Sequence, residues 1–132
     1  MTDTRSGART KSVGIVLLYH GSSSPGAVVA ERALAERVAE RGRDVVGAVL
    51  SHLSGGDEEL SLAIQVLVAK GAGRIVVVPM FLAPGGHVQR DVPALVDRAR
   101  GRFSGVAIGV SEIIGASQSL PDAVLDLISQ AE

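Results

Sequence analysis

Four short runs of branched apolar residues, each followed by a longer segment of helical period, constrain this chain more than any other feature. The runs are Val13 to Tyr19, Val45 to Leu50, Arg74 to Met80 and Val106 to Val110. None alternates with polar residues, so each reads as a strand buried on both faces, as in parallel sheets. The segments between them carry helix ends. A first helix opens near Ser24 with Pro25 in its first turn, presents Ala27, Ala30, Leu34 and Val38 on one stripe, and stops at Gly42. A second opens on the acidic trio Asp57, Glu58 and Glu59, buries Leu60, Ala63, Ile64, Leu67 and Val68, and ends near Gly71. A third is expected from about Asp91 as its N-cap, with Pro93 tolerated in the first turn. The last carries Leu120, Val124, Leu127 and Ile128 on one stripe.

This alternation predicts a single three-layer α/β domain in which a four-stranded parallel sheet is flanked by helices on both faces. Right-handed crossovers give the strand order 2-1-3-4. The ligand crevice of such a sheet lies where the order reverses, here between the carboxyl ends of the first and third strands. A chain of 132 residues, 46% of them apolar, can fill one core. Residues 12–132 are therefore expected to form one domain, and the polar, basic first eleven residues read as a disordered arm.

Composition narrows the chemistry. The 13 basic residues nearly cancel the 14 acidic ones and leave a formal charge of -1, without the dense cationic face that a nucleic-acid partner requires. Cysteine is absent, which removes disulfides, thiol nucleophiles, iron-sulfur clusters and thiolate zinc sites. With no tryptophan and only Tyr19, Phe81 and Phe103 as aromatics, base-stacking platforms and flavin sandwiches lose their materials. The run from Val13 to Leu18 is too short for a signal h-region, and nothing approaches the roughly 20 apolar residues of a membrane span. A soluble, cytoplasmic protein with no membrane partner is the expectation. What remains for metal or proton chemistry is His20, His52 and His87, plus carboxylates.

His20 directly follows the first strand, in Tyr19-His20-Gly21-Ser22-Ser23-Ser24-Pro25. His87 is expected in the loop after the third strand, at the end of Pro79-Met80-Phe81-Leu82-Ala83-Pro84-Gly85-Gly86-His87. The order 2-1-3-4 sets these two imidazoles across one crevice, with His52 after the second strand on the neighbouring side. One histidine at a strand end is ordinarily a loop residue bonded to backbone, and that plain reading holds for His52. Two at a switch point say more. Gly21, Gly85 and Gly86 clear side chains where a flat ligand would approach the backbone. Two imidazoles without a thiolate hold a divalent ion of the Fe, Co, Ni or Zn kind loosely, which suits handing a metal on. A neutral imidazole there can also accept a proton near neutral pH.

The segments that carry these histidines resemble the class II chelatases, specifically the short sirohydrochlorin cobaltochelatase and ferrochelatase group, from about Val13 to Ile128. The family opens with a strand followed by H-G-S-R-D-P, and Tyr19 to Pro25 reads YHGSSSP. Its middle motif is a strand, then P-x-F-L-x-x-G-x-H-x-x-x-D-I-P, and Pro79 to Pro93 reads PMFLAPGGHVQRDVP. The stretches Ala69 to Ala72, Arg74 to Pro79, and Ile114-Gly115 before the last helix are also family-like.

The resemblance implies an enzyme that inserts a divalent metal (cobalt or iron, with nickel as a further candidate) into sirohydrochlorin or a related tetrapyrrole, in cobalamin or siroheme biosynthesis. It assigns His20 and His87 to metal binding and catalysis, with His20 the proton acceptor. Ser22, Ser54, Leu82, Ala83, Pro84, Gly85 and Gly86 are assigned to substrate contact. It implies a homodimer, a tetrapyrrole as substrate, and no permanently bound cofactor.

Two departures stand out. Ser23 and Ser24 replace the family's Arg and Asp, and Ser54 replaces the Glu of a F-L-E segment. Arg90, serine hydroxyls and helix N-termini are the candidates to grip substrate carboxylates instead, and His52 is the candidate to offset the lost Glu. The losses also admit a non-catalytic metal or tetrapyrrole carrier. Other classes fit less well. A histidine phosphatase needs a phosphate-clamping arginine where Tyr19 stands, an α/β-hydrolase needs a G-x-S-x-G elbow and a longer chain, a flavodoxin-type binder lacks flanking aromatics, and no nucleotide P-loop is present.

Overall fold

The computed structural model describes residues 12–21 and 24–131. The expected arm at residues 1–11 lies outside them. Strands β1 (Val13–Tyr19), β2 (Val45–His52), β3 (Arg74–Pro79) and β4 (Ala107–Val110) form one parallel sheet in the order β2-β1-β3-β4, as the crossover rule predicts. Leu18 of β1 pairs with Ser51 on one side and Pro79 on the other, and Val77 of β3 pairs with Val110 of β4. The helices are α1 (Pro25–Arg41), α2 (Gly56–Ala69), α3 (Gly86–Arg102) and α4 (Leu120–Gln130). Short 3-10 turns at Leu53–Gly55 and Ile114–Ala116 follow β2 and β4. Among the described residues no helix is long and apolar enough to cross a membrane.

The core lies on one face of the sheet. There Val16, Leu18, Ile75 and Val77 meet Leu60, Ile64 and Leu67 of α2 and Val92 and Val96 of α3. Each such side chain contributes roughly 1.5–3 kcal/mol by leaving water. Helix α2 settles close because the strands beneath it carry glycine. A Cβ on Gly14 would lie 3.0 Å from Leu67 Cβ, and one on Gly47 would lie 3.2 Å from Leu67 Cδ2. At the surface, Arg98 Nε donates to both oxygens of Asp57 at 2.8 and 3.0 Å, and Arg102 adds a contact at 3.3 Å. The Arg98 hydrogen bond is the main reason the Asp57 carboxyl is held below its usual range. These pairs fix α3 against the start of α2 more than they stabilise the fold.

The opposite face is thinner. Helix α1 buries Ala35 rather than the expected stripe: Ala27, Leu34 and Val38 are half-buried and Ala30 is exposed. Helix α4 has no buried residue, and its apolar stripe is open at Val124, Leu127 and Ile128. In α2, Val68 is likewise on the outside, at 42% exposure. An apolar stripe marks a face that packs, without saying on what.

Two boundaries that bear on the site also differ from the sequence reading. Strand β2 runs two residues past Leu50, so His52 ends the strand instead of following it. Polar Ser51 and His52 hid that extension: Ser51 is fully buried with an unpartnered hydroxyl, and the His52 N–H donates to Glu59 Oε1 at 3.2 Å. Helix α3 begins at Gly86, five residues before Asp91, and the Gln89 N–H donates to the Gly85 carbonyl at 2.9 Å. Gly85 occupies the cap without a side chain to announce it. Pro93 is therefore inside the helix, where it has no N–H for the Gln89 carbonyl, and both residues border the open cleft described below.

Candidate metal and tetrapyrrole site

His20 is the first residue beyond β1, and its side chain is exposed. Its carbonyl accepts the Ser54 N–H at 3.1 Å, which ties the loop after β1 to the turn after β2. Gly21 follows with φ +132°, and a Cβ there would overlap the Ser54 hydroxyl. Glycine is thus required by both backbone and space. The position where the resemblance expects a carboxylate adjoins the His20 loop, and Ser54 fills it. Ser22 lies outside the described residues.

On the other side of the switch point, the Met80 N–H donates to the Leu18 carbonyl at 2.8 Å, continuing the β1–β3 pairing one residue past the strand. The chain then runs through the exposed residues 82–86 into α3. His87 is the second residue of that helix and not part of a loop, because the helix starts early. His20 and His87 therefore stand just beyond two adjacent parallel strands, at the carboxyl edge where open α/β sheets take ligands.

A cleft of about 630 Å³ opens at this edge of the sheet, between the first turns of α3 and the segment that follows β4, with neither histidine among its described lining residues. That is within the roughly 300–1,000 Å³ of small-molecule sites. Leu82, Pro84, Val88 and Ile113 make its walls largely apolar, and Gln89, Ser111 and Glu112 bring polar atoms to it. Of the expected substrate residues, Leu82 and Pro84 line this cleft, while Ala83, Gly85 and Gly86 are exposed in the same segment. Arg90 lies over Gly86, its guanidinium 3.9 Å from where a Cβ would sit.

The wall from Ser111 to Ala116 was not expected from period or spacing, and the Ile114-Gly115 pair was its only trace. The structure explains that pair. The Gly115 N–H donates to the Phe81 carbonyl at 3.0 Å, and any Cβ on Gly115 would overlap the backbone of Leu82.

His52 is not brought to the crevice. Its Nδ1 is 2.8 Å from Glu59 Oε2 and its Nε2 is 2.7 Å from Glu31 Oε1, so both ring nitrogens are engaged and none is left to offset the lost Glu at Ser54. Burial alone would depress its pKa, but hydrogen bonds to Glu31 and Glu59 outweigh that and raise it. The ring packs near Tyr19, with centroids 6.0 Å apart, and the Tyr19 hydroxyl is pushed upward by burial and then by the Glu31 charge. Among the described residues no three histidines or carboxylates are placed to hold a metal ion.

An open parallel α/β sheet with an apolar cleft at the carboxyl edge of its strands defines a ligand-binding α/β domain. The model of the CbiX family matches residues 14–131, and the chain belongs to that family. It is 35% identical over 78 residues to the chloroplastic sirohydrochlorin ferrochelatase of Arabidopsis thaliana, covering 59% of this chain and 35% of the plant protein. It is 39% identical over 83 residues to a sirohydrochlorin cobaltochelatase of Methanocaldococcus jannaschii, covering 62% of this chain and 57% of the relative. The structure of the sirohydrochlorin chelatase SirB from Bacillus subtilis in complex with cobalt superposes with a TM-score of 0.71 at 25% identity, covering 90% of this chain and 50% of SirB. The chain thus spans between about a third and three fifths of these relatives.

Proposed function

We propose that this chain catalyses insertion of a divalent metal ion, cobalt or iron, into sirohydrochlorin or a closely related tetrapyrrole. The observation that carries the reading is that His20 and His87 follow adjacent strands β1 and β3 in the chain, at the sheet edge where an apolar cleft opens. The macrocycle must lose two pyrrole protons as its nitrogens bind the ion. The exposed imidazole of His20 is a suitable base, and the two-histidine set releases the ion readily because no thiolate holds it. Leu82, Pro84 and Val88 seat the ring's apolar face, and Arg90 meets its carboxylates. The names of the relatives support the substrate and the metals.

The working unit is a homodimer. This chain matches half of SirB, and its own α4 presents Val124, Leu127 and Ile128 unburied.

The test is a spectroscopic one. Purified protein with sirohydrochlorin and Co²⁺ or Fe²⁺ should metallate the ring faster than the spontaneous reaction, and His20→Ala and His87→Ala should each lower that rate by about 10²-fold or more. No acceleration with either metal would refute the reading. Stoichiometric binding without turnover would identify a carrier, the reading that Ser54 favours by standing where a carboxylate is expected.

A further inference from the structure

The turn after β2 is clasped by one carboxylate. Glu59 lies in the first turn of α2, and its side chain reaches back past Leu53–Gly55 to the end of the strand. There Oε1 accepts the His52 N–H at 3.2 Å, and Oε2 meets the ring Nδ1 at 2.8 Å. The same carboxylate fills the space beside Gly55, where any Cβ would overlap it. Gly55 has φ -85°, which suits every residue, so the position is kept small for room and not for backbone freedom.

That turn is what the His20 loop rests on. The Ser54 N–H donates to the His20 carbonyl at 3.1 Å, and a Cβ on Gly21 would overlap the Ser54 hydroxyl. With no slack between them, a shift of the turn moves His20, because close-packed contacts transmit strain. Glu31 engages the same imidazole from α1, with Oε1 2.7 Å from Nε2, but its hydrogen bond is to the ring alone. The two carboxylates on His52 therefore differ in reach. Glu31 holds the ring, whereas Glu59 holds the ring, the strand backbone and the turn.

We propose that Glu59 is a positioning residue for metallation, fixing His20 at the carboxyl edge of β1 through His52 and the Ser54 turn. The proposal rests on the metal-insertion reading above. Glu59 exchanges no proton in the cycle, and its effect passes through the backbone. Neither Glu59, His52 nor Ser54 lines the apolar cleft, so loss of the clasp falls on kcat and spares KM for the tetrapyrrole.

Amide exchange and kinetics on the full chain test it together. Glu59→Ala should speed exchange of the Ser54 amide by about tenfold or more, and leave unchanged the Met80 amide, which is bonded to Leu18 on the other side of β1. In the metallation assay the same variant should lose about tenfold in kcat at unchanged KM for the tetrapyrrole. Glu59→Gln fills the same space and keeps an acceptor for the His52 N–H, so it should recover most of that loss. Gly55→Ala crowds the Glu59 carboxylate and should reproduce the loss. Glu31→Ala controls for stability: it removes the other partner of His52 and should lower Tm, with kcat and Ser54 exchange unchanged. Wild-type Ser54 exchange in Glu59→Ala, or an equal fall in kcat from Glu31→Ala, overturns the proposal even where the wild type metallates the ring. Faster Ser54 exchange in Glu59→Ala, with no metallation by the wild type, keeps the clasp and removes the chelatase reading instead.

Discussion

His52 has a carboxylate against each ring nitrogen, which makes it the residue whose protonation the fold feels most. The imidazolium can donate to Glu31 and Glu59 at once, whereas the neutral ring has one proton for two acceptors. Its pKa is raised in the folded chain, so the stabilisation it provides is complete below the ordinary histidine value near 6.5 and is lost as pH climbs from there through the raised value. Tyr19, the other titratable group facing the ring, is itself shifted upward and stays neutral across that window. Thermal melts should therefore show Tm falling as pH rises from about 6.5, and His52→Gln, which strands two carboxylates, should lower stability by roughly 1–3 kcal/mol near neutrality and flatten the slope. A wild-type Tm that is level or rising over that range would contradict the protonated cluster. None of this was legible from spacing. Glu31 is 21 residues from His52 and reaches it only because α1 crosses the end of β2.

Secondary elements were read well where pattern and cause coincide, and poorly where glycine or proline stood for something other than a break. The strands and α2 followed their apolar runs because tertiary burial and local period agree there. Helix α3 was placed five residues late, since Gly85-Gly86 resembles a loop and Pro93 a first turn, while the helix in fact starts uncapped and carries the proline in its interior. That shift moves His87 from a loop to a helix, the rigid setting that preorganised chemistry prefers. The turn Ile114–Ala116 shows the same lesson in reverse, because a single glycine lets it press onto the backbone of residues 81–82. Gly115→Ala should push the two apart and reshape the cleft. The expected outcome is a loss of at least tenfold in kcat/KM for metallation with a stability cost of only about 1–3 kcal/mol, read from paired kinetic assays and denaturant melts. Unchanged kinetics would show that the wall has no part in seating substrate.

At the scale of the whole molecule the two faces of the sheet are unequal, and the inequality points outward. The α2 and α3 side holds the buried cluster, while α1 has a single buried residue and α4 has none. An eleven-residue helix with Val124, Leu125, Leu127 and Ile128 each more than half exposed is too short to be stable by propensity alone. It needs a surface to pack on, and the homodimer proposed above would supply one. The expected consequence is a particle of about twice the 13.5 kDa chain mass in light scattering, with a Tm that rises with protein concentration. Replacing Leu127 and Ile128 by Glu should yield the monomer and lower metallation, while leaving the α2 and α3 core folded because neither residue touches it. A wild-type monomer at micromolar concentration would mean that α4 is covered by something other than its own twin.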